Sequence, residues 1–344
     1  MQPIIRTELN PVIEILGLIY ASHNPKLLEK TYIVEQVAET GISGEELYKK
    51  VGGILSRYVA AFEKKMVIDE ADGVFFAEAD SDFLFFVQMV FAEMPEWLDT
   101  IESMSEAEIS AKLTADLRDW IETDLTEDAT KNEIINALAR SGQSPNVCWR
   151  LLQLMQEPKQ QLTHFAQIVR KNLPAYEAAL LAVERPLAKR IALFEKARRS
   201  GAQSKAQELA EKVKEEPIHT VVPMLMNPGM EMVGGGYNYV GLFVDDIFRM
   251  VANLKKAHHS NPVLKVIGDS SKFEILVALN RAPKYNLELA EHLGLSAATV
   301  SHHMQMLITY DLVSVEKRDG RVYYTLEKEP IRALITDLQM VFNV

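Results

Sequence analysis

The sequence predicts a mainly α fold: a large N-terminal all-helical domain with a β-hairpin, over residues 1–256, and a smaller C-terminal domain, over residues 257–344. Three observations predict it. Apolar residues recur at helical spacing through most of the first part of the chain. A chain of 344 residues exceeds what one hydrophobic core usually supports. The final part combines two short helical patterns with a segment in which apolar and polar residues alternate.

The composition is that of a protein of the reducing cytoplasm. Apolar residues make up 48% of the chain, which is enough to fill two cores. Cys148 is the single cysteine, so an internal disulfide is excluded. The sequence has no uncharged apolar run of about 18 residues and does not begin with a basic stretch followed by an apolar one. We therefore expect no membrane segment.

The formal net charge of −11 is divided unevenly along the chain. From Ala257 onward there are nine Lys and Arg residues against ten Asp and Glu, which leaves 28 against 38 for the first part. The acidity therefore belongs to the larger domain. It should weaken non-specific attraction to nucleic acid, so that any such binding depends on local contacts.

The first part of the chain is predicted to consist of successive helices. Apolar stripes at helical spacing mark most of them, Ser105 and Glu108 form a capping box for another, and a charge-alternating pattern marks the last. Prolines indicate further helix starts after Ser144 and near Pro158, Pro174 and Pro186. The striped and charge-alternating segments are Pro11–Tyr20, Pro25–Val37, Glu45–Lys65, Phe83–Glu93, Glu96–Met104 and Gln203–Glu216.

Two segments of the larger domain are not helical in pattern. Met66–Ala79 is predicted to be a loop, although Asp72-Gly73 leaves a short hairpin open. Residues 218–243 are rich in Val, Met, Tyr and Phe, and Asn227-Pro228-Gly229 interrupts them, which predicts a hairpin across that tripeptide. Gly234-Gly235-Gly236 lacks the residues of a phosphate-binding loop, so a bulge or bend is predicted there. A connecting helix over Val244–Lys256 should then lead into a domain junction at His258–Pro262.

The smaller domain begins its motif with two helices joined by a sharp turn. Asn286 is predicted to cap the first helix, and Gly294 stands where a helix needs a left-handed exit residue. Ser296 then supplies the N-cap of the second helix, and Leu295 with Val300 can close a hydrophobic staple.

The second helix, residues 296–310, has one apolar and one polar face. The apolar stripe consists of Val300, Met304, Leu307 and Ile308. The opposite face carries short hydrogen-bonding side chains and one amide, which are the residue types that reach base edges in a major groove. The residues of this face are Ser296, Ala298, Thr299, Ser301, His302, Gln305 and Thr309, of which Ala298 contributes only a methyl group.

A two-stranded ribbon over residues 313–326 follows, because apolar and polar residues alternate on both sides of Asp319-Gly320, a preferred hairpin turn. Lys317, Arg318 and Arg321 surround its tip. Two helices with a tight turn followed by such a ribbon make a winged helix-turn-helix. Cations at the tip of the wing are placed to contact the DNA backbone or to reach a minor groove.

The same residues carry a family resemblance over about the last quarter of the chain. Several separated elements agree in order and spacing with the arsenical-resistance-repressor (ArsR) type of bacterial regulator, which the chain resembles. They are Ile267–Leu276, Leu289–Ser296, Thr299–Met304 and Arg318–Tyr324. Ala298 departs from the family, which usually has a polar side chain there, so only a methyl contact is expected from it.

The resemblance implies a cytoplasmic, homodimeric transcriptional repressor that binds double-stranded DNA at a palindromic operator. The terminal helix supports a dimer, since its full apolar stripe exceeds what a small domain needs for its own core. The stripe could instead pack against the N-terminal domain. The alternative function is a protein-interaction module, because this fold does not oblige DNA binding. The predicted DNA contacts are Ser296, Ala298, Thr299, Ser301, His302, Gln305, Lys317, Arg318 and Arg321.

No cofactor, metal or catalytic residue is predicted. Members of the family that sense metals have a cysteine pair in the first helix of the motif, where this chain has Tyr285, Asn286, Leu287 and Glu288. His258 and His259 are adjacent, whereas helical ligand pairs need three- or four-residue spacing. The larger domain has no hydrolase, metalloprotease or nucleotide-loop motif, so we expect it to receive a small-molecule or protein signal and not to catalyse a reaction.

Overall fold

The computed structural model describes residues 3–37, 42–121, 123, 125–126, 129–200, 218–256, 262–318 and 321–342. Most of these residues are helical, and their strands form two small sheets, which confirms the predicted mainly α fold. Within these ranges no helix combines the length and the apolar character needed to cross a membrane. Three predicted features lie outside them: the helix over 203–216, the junction at 258–261 and the Asp319-Gly320 turn.

The N-terminal part consists largely of helices, and several begin where the sequence predicts. The capping box is present, with Glu108 Oε2 accepting from Ser105 N at 3.0 Å. Ser144 caps a helix that starts with Pro145. The helices are α1 (Pro11–His23), α2 (Lys30–Gln36), α3 (Gly44–Glu63), α4 (Glu70–Gly73), α5 (Ser81–Glu93), α6 (Trp97–Thr100), α7 (Glu106–Trp120), α8 (Lys131–Arg140), α9 (Pro145–Gln156) and α10 (Pro158–Arg199).

Two predicted helices are broken. Extended backbone at Glu29 splits the helix predicted over Pro25–Val37 into a 3₁₀ turn (Pro25–Leu28) and α2. The helix predicted over Glu96–Met104 becomes α6 and a 3₁₀ turn (Ile101–Ser103).

The segment Met66–Ala79 was predicted to be a loop or a short hairpin. It contains instead α4 and two 3₁₀ turns, Val74–Phe76 and Glu78–Asp80. The backbone of Val67, at the start of this segment, needs no partner strand. The side chain of Asn172 donates to Val67 O at 2.7 Å and accepts from Val67 N at 2.8 Å.

The prediction that Pro174 and Pro186 start new helices is wrong. Both lie inside α10, a continuous helix of 42 residues. An interior proline costs a helix about 3 kcal/mol. Here the helix continues because one of its faces, which includes Phe165, Val169 and Val183, is fully buried against its neighbours. Packing therefore overrides the local preference.

The first sheet corrects the predicted hairpin. Its strands are β1 (Ile4–Ile5), β2 (Thr220–Met224), β3 (Glu231–Gly234) and β4 (Tyr237–Gly241), in the order β1-β2-β4-β3. β2 runs parallel to β4, so the hairpin predicted across Asn227–Gly229 does not form. The hairpin is β3–β4, and it turns at Gly235-Gly236 with φ of 55° and 76°. Positive φ at both central residues is what a tight hairpin turn requires.

The C-terminal part has the predicted order of elements. α11 (Val244–Lys256) precedes it, as expected for the connecting helix. Then come α12 (Pro262–Ile267), α13 (Ser270–Arg281), β5 (Lys284–Tyr285), α14 (Asn286–Leu293), α15 (Ala297–Thr309), β6 (Val313–Arg318), β7 (Arg321–Leu326) and α16 (Glu329–Phe342). The strands form a sheet of order β5-β7-β6, in which Arg318 pairs with Arg321 across the tip. The helix-turn-helix is α14–α15, and β6–β7 is the wing.

Candidate nucleic-acid interface

The turn between α14 and α15 has the predicted geometry at two of three positions. Gly294 has φ 66°, the left-handed exit from α14. Ser296 caps α15, with its Oγ accepting from Thr299 N at 3.0 Å. Asn286 is not the cap of α14, because it is the first residue of that helix and its side chain is buried. Glu288 has the capping role, with Oε2 accepting from Tyr285 N at 3.1 Å.

The buried Asn286 amide joins the two helices of the motif. Its Nδ2 donates to Ala297 O at 3.1 Å and to Ser301 Oγ at 2.9 Å. Both acceptors belong to α15, so the amide fixes the position of the second helix on the first. The sequence carries no signal for this role, because an Asn at the start of a helical pattern usually indicates a cap.

The helical spacing of residues in α15 predicted one apolar and one polar face, and the structure has both. Val300, Met304 and Leu307 are 0%, 1% and 0% exposed, whereas Ile308 is half-buried. The opposite side presents four exposed polar residues, Thr299, Ser301, His302 and Gln305, which we call the polar face. Ser296 is half-buried at the start of that face, and the side chain of Ala298 is outside the described set. Thr309 is half-buried and donates its hydroxyl proton to Gln305 O at 2.8 Å.

Part of the polar face is already oriented by hydrogen bonds within the protein. The hydroxyls of Ser296 and Thr299 lie 2.8 Å apart, and Ser301 Oγ accepts from Asn286. A hydroxyl that accepts one bond can still donate its own proton. His302 and Gln305 project from the middle of the helix, and the Gln305 amide can donate and accept at once, the pattern that pairs with an adenine edge.

The wing brings the three predicted cations to adjacent strand ends. Arg318 is exposed, and its Nη2 lies 2.5 Å from Glu316 Oε2. An ion pair as exposed as this adds little stability, so phosphate can compete for the arginine. Lys317 is half-buried. Arg321 is also half-buried, and its guanidinium carbon lies 4.9 Å from the centre of the Tyr285 ring. The sequence did not predict this stacking, since β5 becomes a neighbour of β7 only in the folded sheet.

A cleft of about 440 Å³ opens beside the wing. Tyr285, Leu287 and Arg321 line it from the winged domain. Residues of the segment from Ile121 to Ser141, which includes α8, line it from the helical part. The winged part of the chain and the N-terminal part therefore face each other across this cleft, on the side of Arg321.

Among the residues that the structure describes, no three His, Cys, Asp or Glu side chains are grouped so that they could hold a metal ion. The Cys148 thiol is half-buried, and burial raises its pKa. A raised pKa lowers the thiolate fraction on which cysteine reactivity depends. The two adjacent histidines, 258 and 259, are outside the described ranges.

A family model for bacterial regulatory proteins of the arsR family matches residues 269–315, which run from the N-cap of α13 through α14 and α15 into β6. No solved structure matches the chain.

Curated relatives are similar over short regions. The arsenical resistance operon repressor of Staphylococcus aureus is 33% identical over 79 residues, which are 23% of this chain and 76% of that protein. The HTH-type transcriptional regulator KmtR of Mycobacterium tuberculosis is 32% identical over 81 residues, 24% of this chain and 61% of that protein. The transcriptional repressor SdpR of Bacillus subtilis is 30% identical over 66 residues, 19% of this chain and 73% of that protein.

Proposed function

Since the chain belongs to the arsR family of bacterial regulatory proteins, we propose that it is a sequence-specific DNA-binding repressor of the cytoplasm. The observation that carries the proposal is the exposed polar face of α15 beside a cationic wing tip. Family evidence points to a transcriptional regulator and not to an enzyme.

In this proposal α15 enters the major groove and the wing follows the backbone. His302 and Gln305 read base edges, while Thr299 and Ser301 position the helix start against bases or phosphate. Ser296 caps the helix and places its hydroxyl beside the DNA, and Ala298 offers only a methyl. Lys317, Arg318 and Arg321 contact phosphate or the minor groove.

We further propose that α16 forms the seam of a homodimer. Ile335 and Phe342 lie seven residues apart on this helix, and their side chains are 51% and 68% exposed. Two large apolar residues exposed on one stripe favour a partner helix. A symmetric dimer would place two copies of α15 about one DNA turn apart, which suits a palindromic operator.

Residues 1–256 remain the proposed sensor domain, and residues 257–344 the DNA-reading domain. A small molecule or protein partner that binds the helical domain would change the affinity for DNA if it favours one arrangement of the two domains. We expect this response to need no metal.

The main test is selection of binding sites from random duplex DNA, followed by gel shifts at several salt concentrations. We expect an inverted repeat with half-sites about 10 bp or a multiple apart, and an affinity that falls steeply with salt. The competing function, a winged domain used for protein contacts, predicts no enriched sequence and no salt-dependent shift.

Substitutions in the two parts of the interface should have different effects. Gln305→Ala and His302→Ala should relax sequence preference, because each removes a contact to a base edge. Arg321→Ala should weaken binding to every sequence, by about tenfold, and make the salt dependence shallower, because it removes a phosphate contact. Affinities measured on the selected duplex and on a scrambled one separate the effects. Unchanged binding of Arg321→Ala to both duplexes would refute the wing assignment.

A further inference from the structure

The corner between α8 and α9 lies directly on the start of α15. A Cβ built on Gly142 would be 2.6 Å from Ala297 N and 3.3 Å from Ser296 Cα. Gly142 also has φ 72°, so glycine is suited to the site in both backbone conformation and size. Ala297, the first residue of α15, is only 8% exposed. The N-terminal end of the recognition helix is therefore covered by the helical domain.

The wing side of the same surface also faces the helical domain. Arg321 lines the same cleft as Ile121, Leu125 and Glu133.

These contacts occupy space that DNA would need. In helix-turn-helix proteins the residues at the N-terminus of the recognition helix contact the base edges. Here that terminus meets the C-terminal end of α8, since Gly142 follows its last residue, Arg140, by two positions. A helix C-terminus carries partial negative charge and a helix N-terminus partial positive charge, so the contact is electrostatically favourable. A duplex docked on α15 would displace the α8–α9 corner.

We propose that the helical domain inhibits DNA binding in cis, through the docking of the α8–α9 corner (Ser141–Gln143) on the N-terminus of α15. The docked chain does not bind operator, and binding requires withdrawal of the corner. The apparent affinity of the full chain is then the intrinsic affinity reduced by the fraction of undocked molecules. This inference rests on the proposed DNA-binding function.

The first test is Gly142→Asn in the full chain. Asparagine tolerates a left-handed backbone, so the turn is retained while the new side chain collides with Ala297. The docked state is destabilised, and we expect operator affinity to rise about fivefold or more. Gly53→Asn is the matched control, because no atom lies within 4 Å of a Cβ built on Gly53, and it should bind as wild type does. Equal affinity of Gly142→Asn and wild type at equal melting temperature would overturn the proposal.

The second test uses the wild-type chain, so its result does not depend on whether Gly142→Asn folds well. Hydrogen–deuterium exchange is measured with and without the selected duplex. We expect α15 to become protected and residues 138–146 to exchange faster once DNA has displaced them. Protection of α15 with unchanged or slower exchange at 138–146 would refute the inhibition and leave DNA binding intact. A failure of both wild type and Gly142→Asn to bind any duplex would refute the proposed function and this inference together.

Discussion

The double variant Ile335→Asp, Phe342→Asp should be monomeric and should bind the operator about a hundredfold more weakly than wild type, or worse. Both side chains are more than half exposed on α16, where a dimer would bury them. A carboxylate at either place opposes that burial. Without the dimer, the two half-sites are bound independently, and the gain from joining two binding modules, about 10² to 10⁴, is lost.

Sedimentation at micromolar concentration and gel shifts on the selected duplex measure the two effects. The control is Ala333→Asp with Thr336→Asp, which adds the same charge to exposed positions of α16 outside the Ile335–Phe342 stripe. The control should remain dimeric and lose much less affinity. A dimer that survives the Ile335 and Phe342 substitutions would place the interface elsewhere.

Glu14→Gln should remove a pH dependence of about 2 to 3 kcal/mol from the stability of the chain between pH 5 and pH 8. Glu14 lies on α1 with a fully buried side chain. Its Oε1 accepts from Leu225 N at 2.7 Å, directly after β2, so the carboxyl group joins α1 to the first sheet. Burial raises its pKa from 4.5 to about 7, although hydrogen bonds from Leu225 and Met226 act in the opposite direction.

The direction of this pH dependence follows from the protonation of Glu14 in the native and the unfolded chain. Below about pH 4.5 the carboxyl group is protonated in both states, and the stability from its raised pKa is fully present. As the pH rises toward 7, the unfolded chain ionises while the native chain keeps its proton, so this stability is progressively lost. Glutamine retains an acceptor oxygen and has no proton to lose, so it should show no such decline.

The measurement is the free energy of unfolding of wild type and Glu14→Gln by denaturant at pH 5 and pH 8. The difference between the two proteins should shift by about 2 to 3 kcal/mol in favour of the variant at the higher pH. The glutamine amide changes the packing equally at both pH values. Its packing therefore cancels when the two differences in unfolding free energy are compared. Glu63→Gln, an exposed position, controls for the loss of one charge. Parallel pH profiles for wild type and Glu14→Gln would show that the buried carboxyl group does not titrate in this window.

Several features could be predicted from the sequence because their cause is local. The Ser105 capping box, the left-handed Gly294 and the Ser296 cap each involve residues within one helical turn, and the structure has all three. The burial of Val300 and the exposure of Gln305 follow from the period of a single helix. The sequence alone therefore determined the class of fold, the order of elements in the winged domain and the polar face of α15.

Tertiary structure decided whatever depends on a neighbour distant in the chain. β4 inserts between β2 and β3, so the hairpin turns at Gly235-Gly236 and not at Asn227–Gly229. α10 continues through Pro174 because its buried face offsets the lost hydrogen bond. Asn286 bonds to α15 instead of capping α14.

The contact of Gly142 with Ala297 is of the same kind, since nothing in either local sequence indicates the other. Caps and periods arise from backbone geometry within a few residues. Strand order, buried amides and the covering of the start of α15 arise from packing between segments that meet only when the chain is folded.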